Sequence, residues 1–178
     1  KRPELTNAQR KMLSHYDNAT LYNDSIVAQI VKRFQKQDAI VIYVPDHGEE
    51  CYEENRGFIC RNHSAEIDWP LAHYEFEIPF WIYCSPKYIR NHRDIYRQIR
   101  KAKDKRFMTD ALPHLLLYLA GIETPTYKEE YNILSPKYDE MRPRILKNSA
   151  DYDKLRDAHL EKIKKEESKK VKKKERRN

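Results

Sequence analysis

The chain has 178 residues, of which 39% are hydrophobic and 35% charged, enough for one domain with a core and without any run of about 18 apolar residues that could span a membrane. The net charge of +7 is concentrated at the carboxyl end: residues 161–178 hold eight Lys, two Arg and four Glu, which leaves +1 for the first 160. A body so nearly neutral, with only three glycines, excludes a glycine-rich phosphate loop and argues against nucleic acid as a partner.

Residues 1–15 are polar, with Gln9 to Leu13 as a helical turn. A helix is expected from Asn23 or Asp24, both good caps, with Ile26, Val27, Ile30, Val31 and Phe34 on one face. It ends near Gln37-Asp38, and Ala39–Val44 follows as a strand buried on both faces. Helix, tight turn and buried strand make the rhythm of an α/β fold. Pro45 stops the strand, and Asp46 and His47 emerge side by side at its carboxyl end, where open α/β sheets keep their ligand crevice. One oxygen and one nitrogen donor together suit zinc. Gly48 lets the chain turn away; a plain polar turn is the bland alternative.

Residues 48–75 read as a long loop, functional or disordered, packed in part through Trp69 and Pro70. Cys51 and Cys60 flank its polar part and could close a small ring in an oxidising compartment. Phe76–Cys84 reads as a second strand, and its last residue, Cys84, as a buried thiol. Ser85-Pro86-Lys87 starts a helical stretch to about Lys103, with Tyr88, Ile89, Ile95, Tyr96 and Ile99 inward. Another helix runs from Thr109 or Asp110, one of which caps it, to Leu119; Leu112, Leu115, Leu116 and Leu119 form its buried face and Gly121 stops it. His114 lies on this helix with no acidic or His partner at ligand spacing, and reads as an ordinary helix histidine. Residues 122–154 are rich in Pro and Tyr, with Tyr131–Leu134 as a short strand or turn. From Asp151 the pattern is helical through Leu155, His159, Leu160 and Ile163. Past Lys164 it becomes a solvated extension or a disordered tail.

The segment Tyr16-Asp17-Asn18-Ala19-Thr20-Leu21-Tyr22-Asn23-Asp24, the helix after it and the strand ending Pro45-Asp46-His47-Gly48-Glu49 resemble the catalytic domain of phosphoethanolamine transferases. These are members of the sulfatase branch of the alkaline-phosphatase superfamily. Phe76–Ile82 looks like that family's strand after the active-site loop, and Asp110–Ile122 like its late helix. The resemblance implies an α/β fold, part of an α/β/α sandwich of the alkaline-phosphatase and sulfatase type truncated at its amino-terminal side. Residues 1–160 would form that part and 161–178 a lysine-rich tail. It implies that Asp46 and His47 are two ligands of a catalytic zinc, and that a histidine in the following loop binds the phosphoryl group. His63 fits by its spacing and is preferred; His73 is the rival, closer to the next strand. The family's threonine nucleophile has no counterpart, since Thr6, Thr20, Thr109, Thr124 and Thr126 match nothing in its motif.

The chain is therefore expected to be the carboxyl-terminal part of a larger enzyme, inactive alone and binding zinc weakly or not at all. It should self-associate through the face its amino-terminal part would cover. The full enzyme would move phosphoethanolamine from a phospholipid to lipid A or a related glycan, anchored in the inner membrane with its catalytic domain in the periplasm. Two other readings remain: a sulfatase or phosphatase-like hydrolase of the same superfamily, and a non-catalytic α/β binding module whose basic tail meets an anionic partner.

Overall fold

The computed structural model describes residues 2–53, 56, 59–60 and 66–175, with backbone alone at 59–60 and 171–175. They divide into two units, one built from Thr6–Val44 and Pro79–Arg142, the other from Pro3–Leu5, Pro45–Ile78 and Pro143 onward.

The first unit opens with helix α1, Asn7–Phe34, which starts well before the expected Asn23 or Asp24. The reason is a capping box: the Thr6 hydroxyl accepts from the Gln9 amide, and the Gln9 side chain accepts from the Thr6 amide. No Gly or Pro interrupts the chain from there to Phe34. The apolar stripe is only partly used. Val27, Val31 and Phe34 are half-buried, whereas Met12, Leu21, Tyr22, Ile26 and Ile30 are exposed.

Strand β1, Ile40–Tyr43, pairs antiparallel with β4, Trp81–Cys84, in a register that sets Ile40 opposite Cys84 and Tyr43 opposite Trp81. The Tyr43 and Trp81 rings stack at 5.2 Å. Every residue of both strands is half-buried, so β1 is not covered on both faces; its one strand partner among the described residues is β4. Ser85 ties this pair to the helices. Its hydroxyl donates to the Gln37 carbonyl and accepts from the Tyr88 amide, capping α3, Pro86–Asn91. The helical stretch then breaks at His92 (φ −125°, ψ 51°) before α4, Arg93–Ala102. Helix α5, Leu112–Ala120, is preceded by a 3-10 turn and has no side-chain cap. Asp110 is not available to cap it, because both its oxygens accept from Arg142, at 2.6 and 2.7 Å. Gly121 closes α5 in the left-handed region (φ +66°). Leu115 is fully buried with Ala102, Ile133 and Leu134, and Phe80, Ile99, Phe107 and Leu119 pack around them. Leu116 points outward at 45% exposure, so the buried face of α5 is narrower than expected. Tyr131–Leu134 is a turn, leaving a 3-10 segment through Asn132, whose Oδ1 accepts from the Leu134 amide.

The second unit replaces the expected 48–75 loop with regular structure. Strands β2, Glu50–Cys51, and β3, Ile59–Cys60, pair antiparallel, with Cys51 opposite Ile59 and Cys60 opposite Glu50. The Cys60 side chain, and with it the Cys51–Cys60 bridge, lies outside the described residues. Helix α2, Trp69–Phe76, takes residues expected in the loop and at the start of the second strand, so that strand begins only at Trp81. Asp68 accepts from the Leu71 amide and Pro70 sits in the first turn, a start signal that outweighs the aromatic β-propensity of Trp69 and Phe76. After the hairpin of β5, Ile145–Leu146, and β6, Ala150–Asp151, comes α6, Tyr152–Glu175. It packs on α2 through Trp69, whose indole meets Tyr152 at 5.7 Å and stacks on His159 at 5.3 Å. The helix does not dissolve after Lys164, and residues 161–170 are all exposed.

Candidate metal centre

Pro45 has no amide proton to extend a ladder, so the chain leaves the strand there. The next two side chains turn toward each other. The Asp46 carboxylate accepts from the His47 amide through Oδ1, at 3.1 Å, and brings Oδ2 to 3.3 Å from His47 Nε2. On the other side of the ring, His47 Nδ1 lies 2.8 Å from the Gly48 carbonyl. A carbonyl can only accept, so Nδ1 carries a proton and Nε2 is the nitrogen offered to Asp46. This is the arrangement that orients a metal-ligating histidine, with a backbone carbonyl fixing the tautomer. Two donors each about 2.0–2.1 Å from a tetrahedral zinc stand about 3.3 Å apart. The Asp46–His47 spacing fits two corners of such a site. Among the described residues no third His, Cys, Asp or Glu is gathered with them, so the fit is to part of a donor set. Glu49 comes to 3.7 Å from Nδ1, on the side away from Nε2.

Gly48 holds this loop in place. Its amide donates to the Glu75 carbonyl at 2.8 Å, at the end of α2. A Cβ here would lie 2.2 Å from the Tyr74 carbonyl oxygen, inside any allowed contact and against backbone that cannot swing aside. Glycine is required by closeness of approach. The Asp46-His47 turn is thus docked backbone to backbone on α2.

Beyond Gly48 the charge is buried. Glu50 is 1% exposed, and Arg56 Nε stands 2.9 Å from its Oε1. The contact lies off the hydrogen-bond line, and neither Glu50 oxygen has a hydrogen-bond donor among the described residues. Burial pushes the Glu50 carboxyl above its usual range; Arg56 opposes this, and Glu75, Asp68 and Glu53 reinforce it. Arg56 reaches Asp68 as well, through Nη1 at 2.7 Å. Burial works against ionisation of Asp68 too, but the Leu71 amide and Arg56 outweigh it and hold that carboxyl low.

Of the two histidines expected at the phosphoryl group, His63 lies outside the described residues. His73 is on α2, not at a sheet edge. Its Nδ1 is 2.9 Å from Glu77 Oε1, and its ring stacks on Trp69 at 5.5 Å. It is not gathered into a metal cluster with Asp46 and His47. His114 accepts from the Lys128 amide and packs on Tyr131, a structural role as expected. Sequence reasoning missed the Glu50–Arg56–Asp68 group. The run Asp68-Trp69-Pro70, a cap followed by proline in the first turn, could have revealed α2; nothing local marks Glu50 as buried.

The sulfatase family model matches residues 1–122. The chain belongs to the sulfatase family. It is 30% identical over 141 residues to the phosphoethanolamine transferase EptC of Escherichia coli, covering 78% of this chain and 23% of that protein. It is 31% identical over 99 residues to the Kdo(2)-lipid A phosphoethanolamine 7''-transferase of Escherichia coli, covering 54% and 16%. Among solved structures it resembles the carboxyl-terminal periplasmic domain of Escherichia coli EptC in complex with Zn. The TM-score is 0.69 at 29% identity, over 86% of this chain and 43% of that one. This sulfatase-family chain thus spans about a quarter of its EptC relative, and its homologues transfer a phosphorus-containing group. The structural match carries the expected α/β fold of the sulfatase and alkaline-phosphatase type. It is a match to a periplasmic domain, and no described helix is long and apolar enough to cross a membrane.

Proposed function

We propose that this chain is the carboxyl-terminal part of the catalytic domain of a zinc-dependent phosphoethanolamine transferase, which moves phosphoethanolamine from a phospholipid to lipid A or a related glycan. The observation that carries the reading is the Asp46–His47 pair, its Nε2 and Oδ2 converging at 3.3 Å while the Gly48 carbonyl holds Nδ1. The family relation and the names of the homologues support it. Asp46 and His47 would hold zinc together with donors from elsewhere in the domain. When bound, zinc stabilises charge on phosphoryl oxygens and acidifies the attacking hydroxyl. Gly48, docked on α2, positions the two donors before the metal arrives, which lowers the ordering cost of binding. His63 would donate a hydrogen bond to the phosphoryl group or protonate the leaving group. The engagement of His73 with Glu77 and Trp69 supports the choice of His63. No threonine of this chain matches the family's nucleophile, so the 178 residues alone should show no turnover and bind zinc weakly.

The test uses the full-length protein with His47→Ala and with Asp46→Asn. Both should lose zinc, and transfer from a phosphoethanolamine lipid to lipid A should fall more than about a hundredfold. Retention of metal and activity by both variants sinks the reading. Turnover of an aryl sulfate or phosphate ester by the unaltered protein, with none from the lipid donor, would assign a hydrolase of the same family instead.

A further inference from the structure

Helix α6 continues for four turns past His159, which stacks on Trp69 of α2, and this part carries +4 of the net +7 of the chain. Residues 161–175 hold eight Lys against four Glu over about 22 Å of helix. The eight lysines surround the helix, and four of them form a line along it. Positions 162, 165, 169 and 172 repeat at i+3, i+4 and i+3, which places them on one face of the helix. Lys162, Lys165 and Lys169 are exposed. Lys165 approaches Glu161 at 3.6 Å with both side chains more than two-thirds exposed, a pairing that neutralises little. Leu160 and Ile163 are exposed too, but helical spacing sets them off the lysine stripe. A protein partner would call for buried aromatic or arginine anchors at the centre of the contact, and the stripe has none.

We propose that this stripe is a docking face for an anionic lipid surface. The charge complementarity is with lipid headgroup phosphates, and the partner follows from the lipid substrate class proposed above, on which this inference rests. Lysines near an anionic leaflet each add to adsorption without needing an exact fit, which suits a bare helix. The stripe and the Asp46–His47 pair belong to one unit. The amino-terminal part of α6 is fixed on α2 through Tyr152, His159 and Trp69, and α2 holds Gly48 by the Glu75 carbonyl. Adsorption of the helix would keep the catalytic loop at the surface that holds its substrates.

The experiment is sedimentation of the 178-residue chain with vesicles of phosphatidylcholine alone and mixed with phosphatidylglycerol, at about 0.05 and 0.5 M salt. Binding is expected only to the anionic vesicles and only at low salt. A quadruple variant, Lys162→Gln, Lys165→Gln, Lys169→Gln and Lys172→Gln, should bind more than about a hundredfold more weakly, at about fivefold per lysine. A control with the same charge change at Lys87, Lys101, Lys103 and Lys137 should lose much less. Absence of low-salt binding, equal losses in the two variants, or tighter binding to a single-stranded nucleic acid than to the vesicles would overturn the proposal. The assay requires neither zinc nor turnover. Adsorption of this chain with no transfer by the full-length protein would disprove the transferase reading alone, and transfer by the full-length protein without adsorption of this chain would disprove this inference alone.

Discussion

Each unit of the molecule contains an arginine–carboxylate pair, and the two behave oppositely. In the first, Arg142 donates to both oxygens of Asp110, and that hydrogen bonding holds the carboxyl below its ordinary range despite partial burial. In the second, Arg56 stands 2.9 Å from Glu50 but off line, and burial drives that carboxyl upward. Proximity of a guanidinium therefore does not decide the sign. The balance between desolvation and directed hydrogen bonds does. A satisfied, half-exposed pair closes the surface beside α5, whereas an imperfectly satisfied buried one lies next to the Asp46-His47 turn.

The largest effect expected is from Arg56→Met. It leaves Glu50 buried without its counter-charge, at a cost of roughly 3 kcal/mol in urea unfolding at pH 7. Glu50 has a raised folded pKa, so stability is fully present below its unfolded value of 4.5 and is lost as pH rises through the folded value. The penalty should therefore shrink as the pH is lowered toward 4.5, and a penalty constant across that range would break the contrast. Next comes the comparison of two glycines. Gly48→Ala forces a Cβ against the Tyr74 carbonyl and should cost about 2–3 kcal/mol. Gly121→Ala meets open space and only the left-handed φ, for about 1 kcal/mol. Equal costs would mean that the Asp46-His47 turn is not docked on α2. The smallest is Arg142→Met, about 1 kcal/mol because Asp110 is half-exposed. Asp110 has a lowered folded pKa, so its contribution is present above 3.8 and is lost as pH falls through the folded value. Wild type and variant should converge only in that acid window. Convergence of both arginine variants at the same pH would erase the distinction.

Much of this was legible from residue order. The strand at 40–43, the Ser85 and Gly121 boundaries, the Tyr88 and Leu115 core positions and the adjacency of Asp46 and His47 all appeared as expected. Each rests on interactions within a few residues. The misses have physical causes. Helix α1 was cut short because the capping box at Thr6 lies under a polar stretch with a weak apolar period. Helix α2 was hidden because aromatic residues favour strands until a cap and a proline set the first turn. The outward turn of Leu116 depends on which neighbours reach α5, and no spacing rule carries that.

By itself the sequence determined which residues are available: an acid and an imidazole in succession after a strand, and a net charge concentrated in residues 161–178. Only the tertiary structure decided that Nδ1 is taken by a carbonyl so that Nε2 faces Asp46, that Gly48 must lack a side chain, and that Glu50 is shut from water. Residue types and caps act over one or two turns of chain. Burial and close backbone approach are set by α2, brought in from more than twenty residues away, and they select the atoms that those residues present.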